Sequence, residues 1–163
     1  MYMNVLKKEL EYKGEKVEFQ LRFPVMAQLE FKKKYNEEGM SAVMSTADDL
    51  EKQLFFLEKA LSFKDNQNPV TDGKEFYEIL VNNGYGGNED FASLIFEIAS
   101  VSGILKEGQS KKLSDVFNNT YDAIFESFEN EIETKLHSEP TSEPAESENA
   151  EGEAKTETSF RKE

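Results

Sequence analysis

His137 is the one histidine of this chain, and there is no cysteine. The lack of cysteine excludes a disulfide framework, a thiolate metal site and a cysteine nucleophile together. A histidine-based metal site usually needs more than one such ligand, and His137 stands alone at the edge of an acidic stretch. Asp65-Asn66-Gln67-Asn68 looks like the opening of a calcium loop. Counted from Asp65, however, the glycine position is Val70 and the closing glutamate position is Phe76, so the EF-hand pattern fails. Gly84-Tyr85-Gly86-Gly87 has the glycine content of a phosphate loop. Such a loop follows a strand or continues into Lys-Ser or Lys-Thr, whereas here a helical pattern precedes and Asn88-Glu89-Asp90 follows. Those carboxylates would compete with phosphate, so the segment reads as an inter-helix turn. Asn118-Asn119-Thr120 is a glycosylation sequon by letters only. There is no Gly-x-Ser-x-Gly, and carboxylates on helical faces are too numerous to single out a pair. The expectation is a protein with no catalytic residue, no cofactor and no metal, acting by binding.

The aromatic content is the remaining chemical signal: 13 Phe and 6 Tyr. Most must fill a core. Phe55, Phe56, Phe96 and Phe125 fall off the main apolar stripes of their helices, and a small bundle has limited room. Surplus aromatics of this kind serve as protein-binding anchors, so these four are the candidate partner-binding residues.

The elements that must position them follow from periodicity. Val17, Phe19, Leu21 and Phe23 alternate with polar residues, as do Leu10 and Tyr12 before them. Lys13-Gly14 lies between, which predicts a β-hairpin over residues 4–23. Two strands alone are marginal in water, so one face must rest on helices. Pro24 suits a helix start and Gly39 a helix end. This predicts a helix over 24–37 with Val25, Met26, Leu29 and Tyr35 along its inner side. Leu50, Leu54, Leu57 and Leu61 predict a helix face, with a possible capping box at Thr46 and Asp49. Whether that helix begins there or continues from Ser41 is left open by the sequence. Asp72 or Thr71 caps a short helix with Phe76, Ile79 and Leu80 inward. A helix over 89–106 is apolar around most of its circumference and belongs at the centre. A last helix over 111–136 carries Leu113, Phe117, Tyr121, Ile124, Phe128, Ile132 and Leu136, and is expected to share in the core. The fold class is α+β: an N-terminal hairpin packed on a bundle of four to five helices.

Composition changes abruptly at His137. Residues 137–163 hold Phe160 as their only large apolar side chain and cannot offset the entropy of ordering, so a disordered acidic tail is expected after a compact domain over 1–136. Eight glutamates against Lys155, Arg161 and Lys162 give the tail −5 of the chain's net −14, leaving −9 for the domain. Both parts would repel a phosphate backbone, so no nucleic acid is expected. Lys32-Lys33-Lys34 is the local exception, ringed by glutamates at 30, 37 and 38. No secretory leader and no membrane-spanning stretch is apparent, which points to a cytoplasmic protein without a membrane partner.

The order of these features resembles a known family. The strand pair enters a helix as VEFQLRFPVMAQLEFKKKY. A leucine-rich helix ends in a loop with Asn-Pro and Thr, LEKQLFFLEKALSFKDNQNPVT. EFYEILVNNGYGG and FASLIFEIASVSGIL follow. Over about residues 4–125 this resembles the tail assembly chaperones of long-tailed, siphovirus-type bacteriophages of Gram-positive hosts. The resemblance implies a non-enzymatic protein that coats and solubilises the tape-measure protein and helps recruit tail-tube subunits. It also implies a host-cytoplasmic protein absent from the mature virion, with self-association possible. The rival readings are a head–tail connector, which would stay in the particle, and a cytoplasmic adaptor unrelated to phage.

Overall fold

The computed structural model describes the backbone over residues 4–161 and side chains over residues 4–136. The chain divides into two units, Met1–Asn119 and Thr120–Glu163, described separately below. The fold is α+β, an antiparallel hairpin followed by six helices.

The hairpin pairs β1 (Leu6–Tyr12) with β2 (Glu15–Leu21), Tyr12 opposite Glu15 and Leu6 opposite Leu21. Lys13 and Gly14 both take positive φ, 53° and 82°. That two-residue turn matches the right-handed twist of the strands. Leu10, Phe19 and Leu21 are buried on the inner face. Lys8 lies opposite Phe19 on that same face, and its ammonium reaches Glu97 of the helical layer at 3.1 Å.

A two-stranded sheet has two edges, each with unpaired backbone groups that invite foreign strands. Here an asparagine occupies each edge. The Asn68 carboxamide accepts from Gln20 N–H at 2.8 Å and donates to Gln20 C=O at 2.8 Å and to Leu61 C=O at 2.9 Å. On the other strand, Asn83 accepts from Glu11 N–H at 2.8 Å and donates to Glu11 C=O at 3.0 Å. Each side chain thus mimics one peptide unit of a missing neighbour strand. The polar loop that looked like a calcium site is an edge cap.

Helix α1 (Val25–Tyr35) starts after Pro24 and ends at Asn36, whose φ of 57° supplies the left-handed cap. The end expected at Gly39 is therefore three residues early, and Gly39 opens α2 (Gly39–Ala47). The inner face of α1 also differs from expectation. Ala27 and Phe31 are buried, while Val25, Met26 and Leu29 are 67%, 67% and 55% exposed. Phe31 fixes this choice by meeting Phe23 edge-on at 6.3 Å.

The open question at residues 41–49 resolves as a break: Asp49 caps α3 (Leu50–Leu61), accepting from Lys52 N–H at 3.1 Å. Thr46 instead bonds back to Ala42 C=O inside α2. The buried face of α3 is Gln53, Phe56, Leu57, Ala60 and Leu61, rotated away from the leucine row, so that Leu50 is exposed. Buried Gln53 donates to Ala47 C=O at 3.0 Å, which satisfies its amide. Asp72 caps α4 (Gly73–Asn82), with Phe76, Ile79 and Leu80 buried as expected. A Cβ on Gly73 would collide with the Leu54 carbonyl oxygen, so glycine sets the close approach of α3 and α4. Helix α5 (Gly87–Val101) buries Phe91, Ala92, Leu94, Ile95, Phe96, Ile98 and Ala99, the central position its all-round apolarity requires.

Helix α6 spans Gln109–Arg161. Its first turns belong to the compact unit, where Leu113 and Phe117 are half-buried against the core. The stretch 137–163, expected to be disordered, lies outside the residues whose side chains are described.

Candidate partner-binding surfaces

The four aromatic candidates separate cleanly. Phe56 is 2% exposed and stacks flat on Phe23, ring centroids 4.0 Å apart. Phe96 is fully buried and meets Phe117 edge-on at 6.0 Å. Neither is available to a partner, and the expectation of surface anchors at these two positions is corrected. The physical reason is that β2, the short link after it and α1 contribute Phe19, Phe23 and Phe31 to the aromatic core. The core therefore absorbs more aromatics than helical stripes alone suggest. Phe55 is half-buried, edge-on to Phe31 at 6.0 Å and to Tyr35 at 5.7 Å. Ammonium groups of Lys34 and Lys59 lie 4.9 Å and 5.5 Å from its centroid, so cations cover the remaining face.

Phe125 is different: it is 63% exposed. In the second unit it belongs to a row with Ile124, Phe128, Ile132 and Leu136, each at least half exposed. At 3.6 residues per turn these five side chains fall within roughly a third of the helix circumference. Asp122, Glu126, Glu129 and Glu133 repeat at steps of four, three and four immediately beside that row, and all four are exposed. Of the row, Ile124, Phe128, Ile132 and Leu136 were expected to help build the core, and Phe125 to face a partner. Their periodicity is that of a buried face, but among the described residues no element covers it.

A second apolar surface lies on α1. Val25, Met26 and Leu29 face solvent, and Lys32 and Lys33 continue the helix beyond them. Lys32 pairs with Glu38 at 3.1 Å.

One polar cluster has the composition of a nucleophile site. Lys52 Nζ contacts Ser45 Oγ and Glu37 Oε1, the latter at 2.6 Å, and Ser45 Oγ donates to Glu37 at 3.1 Å. A serine–lysine dyad needs a neutral amine as its base. Here the hydrogen bond that Lys52 donates to Glu37 raises the Lys52 pKa above its ordinary value. The same bond holds the Glu37 carboxyl below its own. Lys52 is thus held as an ammonium, which ties α2, α3 and the α1–α2 connection together. The three residues sit on separate segments at spacings of eight and seven and match no motif, so no sequence signal marks them.

An open pocket of about 280 Å³ lies beside the Gly84–Gly87 turn, lined by Asn83, Tyr85, Asp90, Ser93 and Glu97 among others. Its polar groups already have roles: Asp90 accepts from Gly86 N–H at 2.8 Å, Glu97 pairs with Lys8, and Asn83 caps the sheet edge. Among the described residues there is no cluster of three or more metal-ligating side chains and no helix long and apolar enough to cross a membrane. No family model, curated protein or solved structure matches this chain.

Proposed function

We propose that this protein is a tail assembly chaperone of a long-tailed bacteriophage. In this reading it binds the tape-measure protein in the host cytoplasm, keeps it soluble and helps recruit tail-tube subunits without entering the virion. The observation that carries the reading is the solvent-facing apolar row of α6, Ile124 to Leu136. A tape-measure chain presents long amphipathic helices that would aggregate alone. An exposed helical stripe of large apolar side chains is suited to cover them by helix-on-helix contact. The high negative charge of the chain supports the reading, since a coat of acidic subunits keeps a complex dispersed.

Co-expression with the tape-measure protein of the same phage tests it. The tape-measure protein should move from the pellet to the soluble fraction and co-purify. The complex should persist at about 1 M salt, where charge attraction is screened within roughly 3 Å. A tape-measure protein equally soluble alone, or this protein found as a stoichiometric part of purified virions, sinks the proposal. The second outcome would favour a connector.

A further inference from the structure

The apolar row of α6 does not stand alone, and the carboxylates beside it restrict what can cover it. Tyr121, Phe125, Phe128, Ile132 and Leu136 follow one another at steps of four, three, four and four. Asp122, Glu126, Glu129 and Glu133 run parallel, each one residue on from the first four. Among the described residues none of these four carboxylates forms an ion pair, in contrast to Glu30, Glu37, Glu38 and Glu97 of the compact unit. The other flank holds Ser127, Glu131 and Lys135. Over residues 120–136 five acidic residues stand against one lysine, a net charge of −4.

We infer that this face docks an amphipathic helix whose apolar stripe is flanked by lysine or arginine, and that the acidic rail selects it. The inference rests on the chaperone reading for the identity of its natural partner and adds the surface and the charge rule. A second copy fits poorly. Paired antiparallel, two such faces would set rail against rail, and paired parallel they would set the rail against Glu131 with Lys135 as the sole relief. An anionic membrane surface is disfavoured by the same charge. A helix with basic flanks meets both demands at once, its apolar side chains between the phenylalanines and its cations over the rail. From Ile124 to Leu136 the row is about 18 Å long, so the occupant needs three to four helical turns.

The test uses the full chain and three synthetic helical peptides of about 18 residues. One has an apolar stripe with lysine flanks, one the same stripe with glutamate flanks, and one the lysine composition scrambled so that no stripe forms. At 50 mM salt the lysine-flanked peptide should bind at least tenfold more tightly than either control. At 1 M salt its lead over the glutamate peptide should shrink to within a few-fold while binding persists. Phe125→Ser with Phe128→Ser should weaken that peptide at least tenfold, with the melting of the compact unit unchanged. Glu126→Lys with Glu129→Lys should reverse the preference between the two flanked peptides. Equal binding of the scrambled peptide would leave only charge attraction. Equal binding of the glutamate peptide would remove the rail's role. A stable dimer in which the Phe125 and Phe128 changes alter the oligomeric state would make a second copy the occupant. Peptide selectivity without tape-measure solubilisation would overturn the functional reading alone, and the converse would overturn the docking surface alone.

Discussion

Phe55 and Phe56 are chain neighbours in opposite environments. Phe56 fills a closed space against Phe23, so Phe56→Ala should cost about 3–5 kcal/mol. Phe55→Ala keeps the core shut and loses ring contacts and part of a cation cover, for about 1–2 kcal/mol. Urea titration of both variants checks the ranking, and equal costs would mean that the α3 face is assigned wrongly. Replacing the two together by serine should unfold the compact unit. Glu37 and Lys52 make a second residue-scale prediction, about pH. The Glu37 pKa is lowered by its bond to Lys52, so its stabilisation is present above the ordinary value of 4.5 and is lost as pH falls through the folded value. The Lys52 pKa is raised, so its share is present below 10.5 and is lost only as pH rises through the folded value. The melting-temperature gap between the natural chain and Glu37→Gln should be widest near neutral pH and close in acid. A gap that stays constant from pH 7 down to pH 3 would show that the pair contributes nothing.

At the scale of elements, the hairpin depends on its two asparagines. Asn68 makes three side-chain bonds to backbone groups of β2 and α3, so Asn68→Ala should cost about 2–3 kcal/mol at roughly 1 kcal/mol each. Asn68→Asp is the sharper probe. It keeps the acceptor for Gln20 N–H but sets a carboxylate against two carbonyl oxygens, so it should be at least as damaging at pH 7. Below about pH 3.5 the acid regains a donor and stability should partly return relative to Asn68→Ala. Urea midpoints at the two pH values decide this, and no recovery in acid would mean that the donor side is unimportant. The hairpin, its turn and the inner residues of α4 and α5 were legible in the sequence, because alternation and all-round apolarity admit one arrangement each. The edge caps were not, because nothing local in Lys64–Val70 shows which strand it will meet. The inner face of α1 was misread because Val25, Met26 and Leu29 compete with Ala27 and Phe31 for the same role, and only the ring of Phe23 decides between them. The row on α6 was misread for a deeper reason. A face that packs on its own core and a face kept for a partner have the same periodicity, and only the rest of the fold tells them apart.

For the whole molecule, the division of labour is between a compact unit and a helix that extends from it in sequence. The buried core ends at Leu105, with Leu113 and Phe117 packed against it from the first turns of α6. The exposed row, the acidic rail and the glutamate-rich stretch all lie in Thr120–Glu163, which carries −9 of the net charge of −14. Nearly two-thirds of the charge therefore sits on little more than a quarter of the residues. That unit thus holds both the exposed apolar row and most of the like-charge repulsion that opposes association. A chain ending at Asn119 should keep the melting temperature of the full chain to within roughly 3 °C, a change under about 0.5 kcal/mol for a domain of this size. The same chain should lose both the lysine-flanked peptide and the tape-measure protein. Calorimetry and co-purification on one preparation separate the outcomes. A large drop in melting temperature would show that residues beyond 119 complete the core, and the exposed row would then be a structural face. Retained binding by the intact short chain would move the docking surface to an apolar patch of the compact unit, such as Val25, Met26 and Leu29 on α1. That patch is followed by lysines instead of glutamates, so the peptide preference would then invert, with the glutamate-flanked helix bound more tightly.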